Sequence, residues 1–229
     1  MKKSYTINGV TFKTQQELVA HIRAILKRYS DGEMLDMFDN LFVYDLLRLH
    51  PDADIKIGSG AEYFFVADNP VYPGPRSRGF RVHRADGSET DFSFWECVRP
   101  SSHSKKVIDA FRHVIEPDLR QFKQYVFDSS DDGIVVCPDT GQKLTFASAH
   151  VDHKAPMTFD RMIADFLVFE GISANDVGLH ASGDNEYQDR LVDLALQERW
   201  IAYHRDNAVL EVVSATANLS LRKRNRSGD

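Results

Sequence analysis

Long apolar runs, clustered cysteines and low-complexity tracts are all missing from this sequence of 229 residues. No apolar run approaches the roughly 20 residues that a membrane-spanning helix needs, so no such helix is expected. The opening MKKSYTINGV is basic but lacks an apolar stretch and a small-residue cleavage site, which argues against a signal peptide. Cys97 and Cys137 have no C-x-x-C partners, so neither a disulfide framework nor a four-cysteine zinc site is expected, and a reducing cytoplasm fits.

The composition is that of an ordinary soluble protein, with 42% hydrophobic and 27% charged residues. Its length allows one large domain or two small ones. The net charge of −6 argues weakly against indiscriminate nucleic-acid binding, because lysine and arginine make the phosphate contacts. Two local basic clusters are compatible with a selective nucleic-acid ligand and equally with a solvated surface. They are Arg76, Arg78, Arg81 and Arg84, and then Arg222, Lys223, Arg224 and Arg226.

Two helices and a small antiparallel sheet are predicted for the first hundred residues. Thr14-Gln-Gln-Glu17 has the form of a capping box, and apolar residues follow it at helical spacing. A second helix is predicted from about Asp36 to His50. Its predicted inward residues are Leu41, Tyr44, Leu46 and Leu47. Three strands are predicted at residues 63–66, 80–83 and 90–95, with Asp86-Gly87 as the hairpin turn between the last two.

One connecting helix is predicted from Ser104 to Phe127, and Pro117 is expected to bend or split it. The acidic segment 129–133 is the best boundary before a second α+β region. The predicted organisation is therefore a domain at residues 1–100, a connecting helix and linker at 101–130, and a domain at 131–229. The last domain has predicted strands at 134–136, 143–146 and 209–213, helices at about 159–169 and 186–204, and a final helix that carries Asn218.

Two segments combine the residue types that phosphodiester hydrolysis requires. The first is Ala149-His150-Val151-Asp152-His153-Lys154-Ala155-Pro156, and the second runs from Asn207 through a short apolar strand to Asn218 and Lys223. Histidine can deprotonate water because its pKa lies near neutrality. Carboxylate and amide oxygens suit a hard divalent cation, which neutralises the phosphate.

These two segments resemble the HNH (ββα-metal) nuclease family over roughly residues 134–226, and Cys137-Pro-Asp-Thr-Gly141 resembles the lead-in of many members. The resemblance implies that His153 is the general base and that Asp152 and Asn218 bind Mg²⁺, or Mn²⁺ or another divalent cation. It also implies that Asn207 braces the loop holding His153. The segment after Pro156 is longer than the usual loop of the family and is predicted to be a helical insertion. Because neighbours on a regular strand face opposite ways, Asp152 and His153 converge only where the strand ends or twists.

The N-terminal half has a second distinctive string. It comprises Lys56-Ile57-Gly58-Ser59-Gly60, the aromatic strand 63–66, the Asp86-Gly87 turn and the stretch from Asp91 to Cys97. It resembles the DCL family (defective chloroplasts and leaves) over about residues 8–100. Plant relatives are tied to plastid ribosomal RNA processing, which implies contact with nucleic acid and names no reaction. On that expectation the first arginine cluster, with Lys56 and nearby aromatic residues, forms a phosphate-and-stacking surface; a solvated strand face is equally compatible.

The sequence as a whole thus predicts an α+β protein with a DCL-like domain, a linking helix and an HNH-type unit. The predicted activity is metal-dependent cleavage of nucleic acid, of DNA rather than RNA, in restriction, defence or phage DNA processing. Arg222 and Lys223 are expected to contact phosphate. A non-catalytic nucleic-acid-binding protein serving RNA maturation is the alternative. A cytoplasmic protein without a membrane partner is expected, and monomer and homodimer both remain open.

Overall fold

The computed structural model describes residues 4–69, 78–180 and 189–219. The chain divides into two compact units, and the boundary lies between Ser102 and His103. Each unit contains helices and small antiparallel sheets, so the predicted α+β class is confirmed. Within the described ranges, no helix combines the length and the apolar character needed to cross a membrane.

The first unit starts with a small hairpin, continues with three helices and ends with a three-stranded sheet and a short helix. Its elements are β1 (Tyr5–Ile7), β2 (Val10–Phe12), α1 (Gln15–Arg28), α2 (Met37–Leu47), α3 (Ala53–Ile57), β3 (Ala61–Asp68), β4 (Arg78–Arg84), β5 (Glu89–Phe92) and α4 (Phe94–Val98). The predicted starts of both long helices are confirmed. Thr14 accepts a hydrogen bond from the Glu17 N–H, and Asp36 caps α2 in the same way through the Asp39 N–H.

Strands β3, β4 and β5 form an antiparallel sheet in that order. Alternate residues of the sheet face a core that it shares with α1 and α2. The inward residues are Phe64, Val66, Phe80, Val82 and Phe92. The opposite face carries residues that are only half-buried, among them Tyr63, Phe65, Arg81 and His83.

Two predictions for the first unit are wrong in detail. Leu41 was expected to face inward, but its side chain is 53% exposed, and Phe42 and Val43 are buried instead. The sequence did not indicate which face of α2 points to the core, because the helix is apolar almost all the way round. The third strand ends at Phe92, and Phe94 begins α4 rather than continuing the strand.

In its described residues, the second unit has a helical core and three short strand pairs. Its elements are α5 (His103–Val114), α6 (Glu116–Asp128), β6 (Val135–Val136), β7 (Lys143–Leu144), β8 (Ala149–His153), α7 (Phe159–Glu170), β9 (Leu179–His180), β10 (Arg190–Leu191), α8 (Leu194–Asn207) and β11 (Leu210–Ser214). Two of the strand pairs pack in a separate small core with the end of α6. Residues 215–219 are helical and end the described chain. The helix predicted at 186–204 starts at Leu194, where Asp193 caps it through the Leu196 N–H; residues 186–188 lie outside the described ranges.

The segment that the sequence assigned to a linker belongs to the second unit. The predicted split near Pro117 is confirmed, since α5 ends at Val114 and α6 begins at Glu116. However, Phe111 on α5 and Ile115 after it are fully buried in the same core as Trp200 of α8. The Trp200 indole N–H also donates to the Phe111 carbonyl oxygen at 2.9 Å. Helix α5 therefore forms part of the core of the second unit.

Truncation of Trp200 is expected to test this core. Trp200→Ala removes the largest fully buried side chain of the described residues and should lower the free energy of unfolding by about 3–5 kcal/mol. The matched control is Val168→Ala on α7, whose side chain is 81% exposed and whose loss should change stability by less than about 0.5 kcal/mol. Urea unfolding followed by circular dichroism measures both, and equal stabilities of the two variants would contradict the assignment of the core.

Candidate functional site

Strands β8 and β11 pair in an antiparallel manner although residues 154–209 separate them. The register sets Asp152 opposite Glu211 and Ala149 opposite Ser214. Lys123 on α6 donates to the Ala149 carbonyl oxygen at 2.7 Å and so fixes the start of β8. The helical residues 215–219 follow β11 directly. Along the chain, β8 is thus followed by α7, α8, β11 and the helical residues 215–219.

Negative charge gathers on one face of this strand pair. Directly opposite residues of an antiparallel pair share a face, so the Asp152 and Glu211 carboxylates lie on the same side. Burial raises the pKa of Glu211, the neighbouring Asp139 and Asp152 raise it further, and Lys154 partly opposes them. Three carboxylates near one ammonium group leave a local excess of negative charge, which favours a cation.

Asn218 lies on the helix that follows β11, and its side-chain oxygen lacks a hydrogen bond. Its Oδ1 atom is buried and has no hydrogen-bond partner within the described part of the chain. A buried acceptor without a partner costs about 1–3 kcal/mol, so such atoms in native proteins call for an explanation. An amide oxygen is a suitable ligand for a hard cation, and Asn218 fits that role chemically.

The donor set available for a metal ion is small. Among the described residues, no group of three or more His, Cys, Asp or Glu side chains is placed to hold a metal. Mg²⁺ is typically held by one or two carboxylates, with water and substrate phosphates completing six oxygens. Asp152 and Asn218 are the carboxylate and the amide that the sequence offers for such a site.

His153 does not share the face of Asp152. The strand stays regular to its end, so the two neighbouring side chains point to opposite sides, and the His153 ring is buried. Its Nε2 atom lies 2.9 Å from Nε2 of His204 on α8. Burial, then His204 and Arg112, lower the pKa of His153 to about 4, so the ring is neutral at pH 7. Asp152 and His153 were expected to converge on one phosphate. The structure instead places their side chains on opposite sides of β8.

His150 lies on the same face of β8 as Asp152, opposite to His153. It precedes Asp152 by two residues on β8, so both side chains point to the same side. His150 is exposed, whereas Asp152 is half-buried. Of the two histidines on this strand, His150 is therefore the one on the acidic face.

The predicted bracing role of Asn207 is not observed. Asn207 is the last residue of α8, it is exposed, and its Nδ2 group donates to the Tyr203 carbonyl oxygen at 2.8 Å within the same helix. The tie between the two segments is instead the Lys154 N–H, which donates to the Val209 carbonyl oxygen at 2.8 Å. His204 adds the side-chain contact with His153, which the sequence did not indicate.

Cys137 and Ser214 form a buried contact that the sequence did not indicate. The Ser214 N–H donates to the Cys137 sulfur at 3.3 Å, and the Ser214 hydroxyl oxygen accepts the Ala217 N–H at 3.1 Å. Burial alone would raise the pKa of the Cys137 thiol, but hydrogen bonds from Thr140 and Ser214 lower it to about 7. This network ties the Cys137–Gly141 turn to the junction of β11 and the helix that carries Asn218. Only the fold brings these residues together, because they are distant in sequence.

The first arginine cluster is partly structural. Arg84 is buried, and its guanidinium donates to the carbonyl oxygens of Lys56 and Ile55, each at 3.1 Å. Arg84 therefore holds the end of α3 against β4 rather than facing a ligand. Lys56 is buried as well, which removes it from the expected phosphate surface.

The other arginines of the two clusters differ in position. Arg78 donates to the Asp68 carboxylate at 2.8 Å and to the Tyr29 carbonyl oxygen at 2.9 Å, so its charge is partly compensated. Arg81 lies on the outward face of the sheet, between Phe65 and Asp91 in register. Arg76, Arg222 and Lys223 lie outside the described residues.

Comparison with known proteins assigns a family to the N-terminal part of the chain. Residues 23–98 match the family described as "Protein of unknown function (DUF3223)". "Protein DCL, chloroplastic" of Solanum lycopersicum is 35% identical over 85 residues, which are 36% of this chain and 37% of that protein. The first part of the chain therefore contains a DCL-family domain, as the sequence resemblance predicted.

The same domain matches proteins of very different length. "DNA-directed RNA polymerase IV subunit 1" of Arabidopsis thaliana is 35% identical over 88 residues, which are 38% of this chain and 6% of that protein. The solution NMR structure of an uncharacterized protein from Rhodospirillum rubrum shares 33% identity, with 42% of this chain and 91% of that chain covered and a TM-score of 0.37. The chain thus spans about 37% of the DCL protein and 6% of the polymerase subunit.

Acid is expected to destabilise the second unit through His153. Its pKa falls from 6.5 to about 4 on folding, so the unfolded chain binds the proton more readily. The stability that this histidine contributes is present above about pH 6.5 and is lost as the pH falls toward 4, by up to about 3 kcal/mol. His153→Gln, which retains a polar group near His204, should lose less unfolding free energy between pH 7 and pH 4.5 than the wild type. Urea unfolding at several pH values measures the difference, and parallel curves for the two proteins would contradict it.

Proposed function

We propose that the chain is a metal-dependent endonuclease in which the DCL-family domain contacts nucleic acid and the second unit hydrolyses phosphodiester bonds, with DNA as the substrate. The observation that carries the proposal is the buried and unpartnered Oδ1 atom of Asn218. It belongs to the helix directly after β11, which pairs with the strand that bears Asp152. The support is topological, since the pairing of β8 with β11 links the strand that bears Asp152 to the strand that leads into the helix of Asn218.

In the proposed site, Asp152 and Asn218 hold a divalent cation through oxygen atoms. When bound, the cation would supply charge neutralisation at the phosphate and at the leaving oxygen. Asp139 and Asp152 both lie near Glu211, and the three charges attract a cation. The buried strand pair and the Cys137–Ser214 contact hold these side chains on a rigid base.

The proton acceptor has two candidates with different support. The HNH resemblance assigns the role to His153, whose neutral ring can accept a proton but whose Nε2 is engaged with His204. The geometry of β8 favours His150, which is exposed on the same face as Asp152. A general base must lie within hydrogen-bond reach of the attacking water, directly or through one further water, so the two assignments make different predictions.

A second candidate function is nucleic-acid binding without hydrolysis. It is favoured by the burial of His153 away from Asp152 and by the similarity of 88 residues to part of a subunit named for an RNA polymerase. The outward face of the first unit's sheet offers stacking groups: the Tyr63 and His83 rings are parallel with centroids 4.5 Å apart, and Arg81 lies two pairs further along, opposite Phe65. Sheets of this kind bind single strands by stacking bases on exposed aromatic rings.

Cleavage assays on plasmid DNA test the metal site. With Mg²⁺ or Mn²⁺ the wild type is expected to nick supercoiled plasmid, and Asp152→Ala and Asn218→Ala should each reduce the rate by roughly 100-fold because the cation loses a ligand. Asp128→Ala is the control, since it removes an exposed carboxylate at the end of α6. Undiminished cleavage in the Asp152 and Asn218 variants would refute the proposed ligands.

The same assay separates the two proton acceptors. Loss of cleavage in His150→Gln alone would place the base on the acidic face, and loss in His153→Gln alone would support the assignment from the resemblance. Absence of cleavage of DNA and RNA by the folded wild type with any divalent cation, together with retained binding of single strands, would support the second candidate function instead.

A further inference from the structure

Helix α2 exposes a contiguous set of large apolar side chains on the face opposite the core. Met37 is 67% exposed, Phe38 73% and Leu41 53%, and their spacing makes them neighbours on the helix surface. Met34, which is 54% exposed, stands just before the helix. We call these four residues the α2 patch. The patch accounts for the failure of the inward prediction for Leu41, since α2 has apolar residues on two faces.

Single exposed apolar residues are ordinary on protein surfaces, but contiguous ones mark interaction sites. Two of the four side chains are methionines, whose flexible and polarisable chains adapt to different apolar partners. The core face of α2 already has its partners in Phe42, Val43, Leu46 and Leu47, which are buried. The α2 patch is therefore additional to what folding of the first unit requires.

Carboxylates flank the patch along the chain. Asp31, Glu33 and Asp36 precede α2 and are exposed, and Asp45 lies one helical turn beyond Leu41. Backbone N–H groups are the hydrogen-bond partners of the first three: those of Asp68, Ser30 and Asp39, respectively. Asp45 has Arg48 at 4.0 Å. Arg28, which is ion-paired with Asp39 at 2.6 Å, also lies near Asp36. The four carboxylates outnumber the two arginines, so the rim of the patch is acidic overall.

We infer that the α2 patch docks a basic amphipathic helix of a partner protein. Nucleic acid and anionic membrane surfaces carry the same sign of charge as the rim and are repelled by it. A second copy of this chain, paired about a two-fold axis, would set one acidic rim against the other. A helix with an apolar stripe flanked by lysine or arginine satisfies both features of the surface, as amphipathic helices do in other apolar grooves.

This inference does not depend on hydrolysis by the second unit. The contact involves few side chains and so resembles the small interfaces of transient complexes, with micromolar rather than nanomolar affinity. Because charge attraction at an exposed rim is screened by salt, binding should weaken as ionic strength rises.

Fluorescence anisotropy with a designed peptide tests the inference on the full chain. The probe is a labelled peptide of leucine and lysine, about 18 residues or five helical turns long, with leucine at helical spacing. One control peptide has the same composition with leucine spread around the helix, and another has glutamate in place of lysine. Micromolar binding is expected for the probe, with affinity for each control peptide lower by about 10-fold or more. Equal binding of the probe and the spread-leucine peptide would reduce the effect to net charge and overturn the inference.

Variants locate the binding surface. The double substitution Met37→Ser and Phe38→Ser should weaken probe binding by about 10-fold or more. The matched control is Val168→Ser with Phe169→Ser, which also removes two exposed apolar side chains, 81% and 76% exposed, and should leave binding unchanged. Circular dichroism verifies that both double variants fold. Loss of binding in the control, or retention in the α2 variant, would overturn the proposal.

A second variant, with reversed charges at the rim, tests the inference even if the α2 double variant fails to fold. Glu33→Lys with Asp45→Lys leaves the buried face of α2 untouched and should invert the preference from the lysine to the glutamate peptide. An unchanged preference would contradict the role of the rim. Sedimentation of the wild type and the α2 double variant tests for dimerisation through the patch. A wild-type dimer that the double substitution dissociates would assign the patch to a second copy of the chain and overturn the proposal.

Discussion

The antiparallel pairing of β8 with β11 is the contact on which the organisation of the second unit depends. It closes a long loop, and loop closure costs conformational entropy that the core of α5, α7 and α8 must offset. The pairing sets Asp152 beside Glu211, turns His153 toward α8 and starts the helix that carries Asn218. Without it, the strand of Asp152 and the segment of Asn218 would not be linked by backbone hydrogen bonds.

Local signals in the sequence were sufficient for most elements and for their order. Thr14 and Asp36 start helices because their side chains satisfy free backbone N–H groups, which is a property of a few adjacent residues. The orientation of Leu41 was wrong because an apolar residue on an apolar helix carries no information about its face. The contacts of His153 with His204, and of Cys137 with Ser214, depend on long-range packing that no local pattern encodes. The pairing of Asp152 with Glu211 depends on the register between two strands that are distant in sequence, and the burial of His153 depends on the position of α8.

The two units carry surfaces of different chemical character. In the first unit, Arg84 and Lys56 are structural, so the half-buried aromatic face of the sheet, rather than a broad basic surface, is the candidate for stacking with bases. The α2 patch with its acidic rim suits a basic protein partner and not a nucleic acid. In the second unit, the acidic face of β8 and β11 suits a cation. A protein that combines these surfaces would bring a substrate strand, a metal ion and a protein partner to one chain.

Titration of isotope-labelled protein with Mn²⁺, followed by NMR, tests the proposed metal site at Asp152 and Asn218 most directly. Mn²⁺ broadens the signals of nearby nuclei, so the side-chain amide of Asn218 should broaden at low Mn²⁺ concentration, well before that of the exposed Asn207, and excess Mg²⁺ should restore it. Asp152→Ala should abolish the selective broadening. An Asn218 signal that stays sharp while other sites broaden would show that this site does not hold a divalent cation, and the proposed hydrolytic function would have no metal site in the described chain.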